Sequence, residues 1–305
     1  MIKRTLYFGN PAYLSLKLKQ LVIRLPQQDG EKQNEKDLTR SVPIEDLGVI
    51  ILDHKQITVT QALLAELLDN NCAVITCDSR QLPTGLFLPL SGNTIQNERF
   101  RLQLDASLPL KKQLWQQTIE AKIRNQAAML SYTTGVEHKN MLKWSESVKS
   151  GDTENMEARA AVYYWKTLFP DNPYFVRDHE GGGVNALLNY GYAILRAIVA
   201  RALVASGLLP TLGIHHHNRY NAYCLADDIM EPYRPYVDRV VYDILADEPE
   251  AEISSAVKIK LLNIPVTEVR ISGKRSPLMV AVSHTTSSLV KCFRGESRRL
   301  IYPEI

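Results

Sequence analysis

A long apolar segment in the second half of the chain constrains the fold more than any other feature. Residues 184–207 (VNALLNYGYAILRAIVARALVASG) are long enough to cross a bilayer as one helix. Arg196 and Arg201 lie near the middle and the end of this segment, where two guanidinium groups would be costly in lipid. We therefore predict a buried core helix of a globular protein with no membrane association.

Composition and cysteine usage indicate a globular protein of one or two domains. The chain has 305 residues, of which 45% are apolar and 23% charged. Its net charge of +3 is too small to identify a nucleic-acid binder by itself. The four cysteines form no CxxC pair and match no zinc template, and the charged N-terminus does not resemble an export signal. We expect reduced thiols and a cytoplasmic location.

The first ninety residues predict a small β domain with one helix attached. Short apolar or alternating runs broken by Gly, Asn and Pro predict strands at 5–8, 13–18, 20–25, 48–52, 72–78 and 84–88. Leucines at helical spacing predict a helix over 58–70. The polar stretch 27–40 predicts a mobile hairpin loop.

The character of the sequence changes after a polar break at residues 91–97. Apolar periodicity then predicts helices at 98–132, 153–168, 184–206, 225–247 and 254–262. We predict an α+β protein, with a β-rich N-terminal domain over 1–90, a linker over 91–97 and a larger all-α domain over 98–305.

A run of histidines and acids at residues 213–238 carries the strongest chemical signal. Asp227 and Glu231 are four residues apart, and Asp228 and Glu231 are three apart, so either pair can share a helix face. Carboxylates bind Mg²⁺ or Mn²⁺, and one imidazole from the preceding triple histidine shifts the preference toward Mn²⁺. Two alternatives remain open: the acids favour a helix N-terminus for electrostatic reasons, and the histidines are solvated or hold a structural zinc ion.

Glu157 is a second candidate ligand. On a helix it shares a face with Ala160, Ala161 and Tyr164, and that face favours burial. A buried carboxylate needs a partner, which a metal ion or an arginine would supply. An exposed or arginine-paired Glu157 is the structural alternative.

These segments resemble the CRISPR-associated integrase family, the endonucleases of CRISPR adaptation. The resemblance is carried by MEARAA and YYW at Glu157, GIHHHN at His216 and DDIMEPYRP at Glu231, with the terminal SPLMVAVSHTTSSLVKCFRG in agreement. It covers nearly the whole chain and is strongest to the type II branch.

The resemblance implies a metal-dependent DNA integrase that inserts new spacers. The 3′-hydroxyl of a DNA fragment would attack a phosphodiester of the CRISPR repeat. Glu157, His216 and Glu231 would hold Mg²⁺ or Mn²⁺, with Asp228 as an auxiliary candidate. The adjacent His215 and His217 leave the histidine register open by one position.

The resemblance also implies partners. It predicts a homodimer joined through the β domains and a larger complex with a small CRISPR-associated protein of ferredoxin-like fold. The type II effector nuclease is a further candidate partner. Two other functions would use the same residues: a metal-dependent DNA nuclease or junction resolvase, and a non-catalytic DNA-binding scaffold of the adaptation complex.

Contacts with DNA are expected to be electrostatic and directed at the phosphate backbone. Four residues beside the predicted ligands are the first candidates: Asn218, Arg219, Tyr220 and Arg234. Arg234 could instead pair with Asp238, one turn away. Three more candidates belong to the basic stretch 270–299: Arg270, Lys274 and Arg275. The alternative interpretation of this stretch is an ordinary solvated basic surface.

Overall fold

In the described part of the N-terminal unit, the strands form two four-stranded sheets. They are β1 (Arg4–Phe8), β2 (Ala12–Lys17), β3 (Gln20–Arg24), β4 (Thr39–Pro43), β5 (Leu47–Leu52), β6 (Ile57–Val59), β7 (Ala73–Cys77) and β8 (Pro83–Phe87). One sheet has the order β1-β5-β7-β8, with β1, β5 and β7 parallel and β8 antiparallel to β7. The other has the order β4-β3-β2-β6, in which β6 runs parallel to β2 and the remaining pairs are antiparallel.

The computed structural model describes residues 3–26, 39–169, 172 and 175–305. The chain divides into two compact units, Met1–Gly92 and Asn93–Ile305. Most of the loop predicted at 27–40 lies outside the described residues, and its last two residues begin β4.

The core of the N-terminal unit is formed where one helix meets both sheets. The β5 sequence LGVIIL is buried along most of its length, as expected for a strand with neighbours on both sides. Helix α1 (Gln61–Asp69) begins after Thr60, whose side chain accepts a hydrogen bond from Leu63 N. Leu63 and Leu67 are buried against residues of both sheets.

The C-terminal unit is mainly helical. Its helices are α2 (Gln96–Leu104), α3 (Leu108–Thr134), α4 (Lys139–Ser147), α5 (Met156–Leu168), α6 (Val184–Ala205), α7 (Cys224–Met230), α8 (Arg234–Asp247), α9 (Ser255–Leu261) and α10 (Leu278–Phe293). The sequence analysis did not predict α4 or α10. It treated 98–132 as one helix, but Ser107 caps α3 and so separates it from α2.

A hairpin departs from the predicted all-α character of the second domain. Strands β9 (Glu268–Ile271) and β10 (Lys274–Pro277) pair antiparallel. Ser272 and Gly273, which join them, both have positive φ, as the tight two-residue turns of hairpins require. The local turn chemistry therefore overrides the helical surroundings.

The predicted helix at 225–247 is interrupted at a position that matters for function. A 3₁₀ turn at Glu231–Tyr233 separates α7 from α8. Pro232 and Pro235 lack the backbone N–H that a continuous α-helix would use there. Glu231, a predicted metal ligand, therefore lies in a turn between two helices.

Helix α6 lies at the centre of the C-terminal unit and packs against α7, α8 and α10. It is, within the described chain, the helix whose length and apolarity would permit a membrane crossing, and 72% of its apolar window is buried inside the protein. Helices of this kind are also the ordinary core helices of globular domains. The buried residues on every side of α6 match the core helix predicted from the sequence.

The contact between α6 and α8 depends on a glycine. A Cβ atom at Gly191 would lie 2.5 Å from Val237 Cγ1 and 3.3 Å from Ile264 Cδ1. We predict that Gly191→Ala lowers the free energy of unfolding of the helical unit by about 1–2 kcal/mol. Overpacking costs about 1–3 kcal/mol, and the higher helix propensity of alanine offsets at most about 1 kcal/mol.

The measurement is urea denaturation followed by tryptophan fluorescence, because all three tryptophans lie in the helical unit. Gly182→Ala is the matched control, since a Cβ atom there meets nothing within 4 Å. The control is expected to change stability by less than about 0.5 kcal/mol. Equal stability of both variants would contradict the proposed packing constraint.

Candidate active site in the helical unit

Glu157 and Glu231 converge on the ammonium group of Lys122. Lys122 Nζ lies 2.6 Å from Glu157 Oε1 and 2.6 Å from Glu231 Oε2. The two carboxylate oxygens can therefore be no farther apart than twice that distance. The sequence analysis did not identify Lys122. The available signal was a lysine at helical spacing within the apolar face of α3, beside Ile119 and Ile123.

The start of α5 fixes the position of Glu157. Asn155 adopts a left-handed backbone conformation immediately before the helix. The Asp152 carboxylate then accepts hydrogen bonds from Met156 N at 2.8 Å and Glu157 N at 3.0 Å. These are the free N–H groups of a first helical turn, so Asp152 caps α5 and orients the residue that carries the acid.

Glu231 is a buried carboxylate held ionised by two cations. Burial would raise its pKa, but Arg234 and Lys122 together lower the pKa to about 2. Arg234 Nε donates to Glu231 Oε1 at 2.8 Å. Burial would lower the pKa of Lys122, but Glu231 and Glu157 raise it on balance. Although Glu231 Oε2 lies close to the ammonium, it makes no aligned hydrogen bond.

The histidine loop is built on Asp228. This fully buried carboxylate accepts hydrogen bonds from the backbone N–H groups of Ile214, His215 and His216. It also lies 2.5 Å from His216 Nδ1. The loop needs a glycine at position 213, because a Cβ atom on Gly213 would lie 2.3 Å from the His216 carbonyl oxygen. Asp228 thus orients the His216 ring, and the neutral ring keeps its lone pair at Nε2.

The three adjacent histidines have different environments. The hydrogen bond to Asp228 raises the pKa of His216; burial opposes this effect, and Asp228, Glu231 and Glu157 add to it electrostatically. His215 stacks on Trp115 with ring centroids 4.1 Å apart, and burial lowers its pKa. His217 is exposed. His216 is therefore the histidine coupled to both acids of the pair.

The acids available to a metal ion are Glu157 and Glu231. In the described residues, no three His, Cys, Asp or Glu side chains lie close enough together to hold a metal ion as they stand. Two carboxylates nevertheless share one cation, and the buried Glu231 Oε2 lacks an aligned hydrogen bond. This arrangement fits a hard divalent cation with oxygen ligands. Asp228, the auxiliary candidate, already uses both of its oxygens for the histidine loop.

Asp227 has a separate task. Its Oδ1 lies 2.7 Å from Arg196 Nε and its Oδ2 accepts a hydrogen bond from Asn221 Nδ2 at 2.6 Å. It therefore ties α7 to α6 and to the loop before α7.

Asp238 forms a buried polar network next to Glu231. Its carboxylate accepts hydrogen bonds from Tyr164, at 2.7 Å, and from Tyr192. Arg234, which the sequence analysis considered as a partner of Asp238, donates to Glu231 instead and lies over the Tyr192 ring. Burial raises the pKa of Asp238 to about 6, although both tyrosines and Arg234 favour the ionised form.

Six of the seven predicted DNA-binding residues fall into two groups, and the seventh, Arg234, is hydrogen-bonded to Glu231. Asn218, Arg219 and Tyr220 are exposed in the loop between His217 and α7, and Arg219 lies over the Tyr220 ring. The second group is on the β9–β10 hairpin, away from the acid pair in its described contacts: Arg270, Lys274 and Arg275. Only the first group is joined to the site through the histidine loop.

Fold and site together define an α+β protein whose helical unit brings two acids and an oriented imidazole into one electrostatic cluster. The family model described as CRISPR associated protein Cas1 matches residues 6–250. The chain belongs to the CRISPR-associated Cas1 family, which confirms the family predicted from the sequence.

Individual relatives agree with this assignment. A CRISPR-associated endonuclease Cas1 from Neisseria meningitidis serogroup C (strain 8013) is 37% identical over 308 residues, covering 100% of this chain and 97% of the relative. A casposase bound to integration product has a TM-score of 0.78 at 19% identity, covering 98% of this chain and 92% of that chain. A Cas6-RT-Cas1–Cas2 complex has a TM-score of 0.75 at 19% identity, covering 100% of this chain and 36% of that chain. The predicted α+β fold class is confirmed.

The raised pKa of Asp238 predicts a specific pH dependence. Its folded-state pKa of about 6 exceeds the ordinary value of 3.8, so the folded protein binds more protons than the unfolded chain between these values. Ionised Asp238 therefore costs stability above about pH 6, and the cost is relieved as the pH falls toward about 4. Asp238→Asn removes this contribution. The free energy of unfolding of the variant, relative to that of the unsubstituted protein, is expected to rise by about 2 kcal/mol as the pH increases from about 4.5 to about 7.

Urea denaturation of both proteins at the two pH values measures this difference. Asp243→Asn, an exposed position on the same helix, is the control and should show no such gain. Parallel pH profiles for Asp238→Asn and the unsubstituted protein would refute the raised pKa.

Proposed function

We propose that this protein is a metal-dependent DNA integrase of CRISPR adaptation, with Glu157, His216 and Glu231 as its metal ligands. The observation that carries the proposal is the convergence of Glu157 and Glu231 on one cation, with His216 electrostatically coupled to both. Family membership and the names of the relatives, an endonuclease and a casposase bound to integration product, support it. The motifs GIHHHN and DDIMEPYRP support assignment to the type II branch.

The residues divide the work of the site. Bound Mg²⁺ or Mn²⁺ would polarise the target phosphodiester and stabilise charge that develops during in-line attack. Glu231, kept ionised by Arg234, and Glu157, positioned by the α5 cap, present oxygens. Asp228 holds the His216 ring at Nδ1 and so leaves Nε2 for coordination. A coordinated imidazole has no free lone pair, so His216 is not the general base.

The joining reaction needs no covalent protein intermediate. The 3′-hydroxyl of the incoming fragment loses its proton and its oxygen forms a bond to phosphorus in the repeat. The bond from that phosphorus to the leaving 3′-oxygen breaks, and the leaving oxygen takes up a proton. Water in place of the hydroxyl gives hydrolysis by the same groups. A nuclease or junction resolvase is therefore the second candidate function, and the name of the 37%-identical endonuclease relative favours it.

DNA is proposed to approach from the histidine loop. Arg219 and Tyr220 are exposed and stacked on each other, a combination that contacts phosphates and supports bases. Arg234 and Arg177 both lie over the ring of Tyr192, and Arg234 also holds Glu231. Cations thus line the side of the site next to the acids, where backbone phosphates would lie.

The proposed assembly follows from the family. We propose a homodimer through the β-rich unit and a complex with a small ferredoxin-like CRISPR-associated protein. A Cas1–Cas2 complex among the structural neighbours supports the second partner. Cooperation with a type II effector nuclease is part of the same proposal.

Strand transfer of a short duplex into a supercoiled, repeat-bearing plasmid tests the function. With Mg²⁺ or Mn²⁺ we expect joined products, and Glu157→Gln should reduce their rate by about 100-fold or more because a neutral amide is a poor ligand. DNA binding should stay within about twofold, since Glu157 attracts no phosphate.

Glu154→Gln is the matched control, because Glu154 is exposed and pairs only with Lys149 among its described contacts. Shortened products without joined ones would favour the nuclease. Joining that is independent of Glu157, or absent from the unsubstituted protein with its proposed partners, would overturn the proposed function.

Arg219→Ala tests the direction of DNA approach. We predict weaker DNA binding with an unchanged fold, and a salt dependence whose slope falls by about one counterion. Binding is measured by fluorescence anisotropy across a range of salt concentrations. Arg80→Ala, in the N-terminal unit and paired with Asp78, serves as the control. An unchanged slope for Arg219→Ala would dismiss this contact.

A further inference from the structure

Lys122 lies where the two proposed oxygen ligands meet. Its side chain is only 11% exposed, and its Nζ atom is 2.6 Å from an oxygen of each glutamate. The lysine comes from α3, whereas the acids come from α5 and from the turn before α8.

The ammonium group has an electrostatic function in the metal-free protein. Two ionised carboxylates this close repel each other, and burial makes the repulsion larger. Arg234 neutralises Glu231 through its Oε1 atom and leaves the Oε2 side of the pair to Lys122. Lys122 therefore holds the carboxylates of Glu157 and Glu231 close together while no metal ion is bound.

The same position makes Lys122 a competitor. A divalent cation with these oxygens as ligands would sit about 2.0–2.6 Å from them, which is the distance range at which the ammonium now lies. The two cations cannot share that space, because both the steric overlap and their charge repulsion forbid it. The flexible four-carbon stem of lysine permits the ammonium to move aside, whereas the Arg234 contact on the other oxygen need not change.

We propose that Lys122 is an internal counter-cation that assembles the Glu157–Glu231 pair in the metal-free protein and must leave it before a divalent cation binds. This inference rests on the proposed metal-dependent function. It makes Lys122 a positioning residue that sets the metal concentration at which the site fills. A site of this kind stays assembled without metal, and its dissociation constant for the metal is higher than it would be without the lysine.

Mn²⁺ binding to the full-length protein without DNA tests the inference. Titration calorimetry, with free Mn²⁺ followed by electron paramagnetic resonance, gives the dissociation constant. Lys122→Met keeps an unbranched side chain up to the ε position and removes the ammonium group. We expect it to bind Mn²⁺ at least about tenfold more tightly, because the acids no longer have a competing cation. Equal or weaker binding by folded Lys122→Met would overturn the proposal.

Two control variants exclude general charge effects. Lys112→Met removes an exposed lysine from the same helix and should leave the Mn²⁺ affinity within about twofold of the unsubstituted protein. Lys122→Arg keeps the charge and should show no tightening. Equal tightening in Lys112→Met would overturn the proposal, because it would trace the effect to net charge.

A second measurement uses the unsubstituted protein and covers the case in which Lys122→Met does not fold. Acetylation of lysines is followed residue by residue by mass spectrometry, with and without saturating Mg²⁺. Displacement predicts that the labelling rate of Lys122 rises several-fold with Mg²⁺ while that of Lys112 does not change. An unchanged Lys122 rate at metal saturation would overturn the proposal.

Failure of the inference is distinguishable from failure of the proposed function. Glu157→Gln must weaken Mn²⁺ binding if the proposed metal site exists. If it does not, the proposed function itself fails, and the Lys122 inference fails with it. If Glu157→Gln weakens binding but Lys122→Met does not tighten it, only the inference about Lys122 fails.

Discussion

The buried charge of Glu231 is the constraint on which the rest of the site depends. An uncompensated carboxylate at this depth would be strongly destabilising, and Arg234 and Lys122 compensate it from opposite oxygens. Arg234 is three residues away on the same turn, but Lys122 belongs to α3. The ion pair therefore fixes α3 against the junction of α7 and α8, and the second contact of Lys122, with Glu157, adds α5. One buried charge thus joins the four helices that form the site.

The acidic segment at 227–231 shows how helix geometry separates neighbouring residues by function. Successive side chains on a helix point about 100° apart. Asp227 consequently meets Arg196 on α6, while Asp228 meets the histidine loop and Glu231 meets the cations on α3 and α8. By spacing alone, either Asp227 or Asp228 could share a helix face with Glu231. Their different partners leave Glu231 as the acid of this segment that faces Glu157.

Sequence periodicity predicted most helices and strands, but it could not predict contacts between residues that are distant in sequence. The apolar run of α6 and the order of strands before helices follow from periodicity. The motifs at Glu157 and Glu231 contain the two acids that contact Lys122, and the motif at His216 contains the histidine that Asp228 holds. The alternative of a cationic partner for Glu157 also proved relevant, but the partner is a lysine, not an arginine. Lys122 could not be inferred because its two acids lie 35 and 109 positions away in sequence. Helix α3 begins where the Ser107 side chain caps it, and α7 ends near Pro232, which lacks a backbone N–H group to continue the helix.

The proposed function makes two demands on the site that conflict, because the site would have to accept a divalent cation and a polyanion at the same place. Acids attract the cation but repel phosphate, and arginines do the opposite. In the structure Lys122 contacts both acids, Arg234 holds Glu231, and Arg177 and Arg234 both lie over the ring of Tyr192. Burial raises the pKa of Asp238 to about 6. Asp238 therefore adds little negative charge below about pH 6 and a full negative charge well above this pH. In the proposed reaction, the positive charge of these arginines would lower the repulsion between the acids and an approaching phosphate, and a bound divalent cation would lower it further.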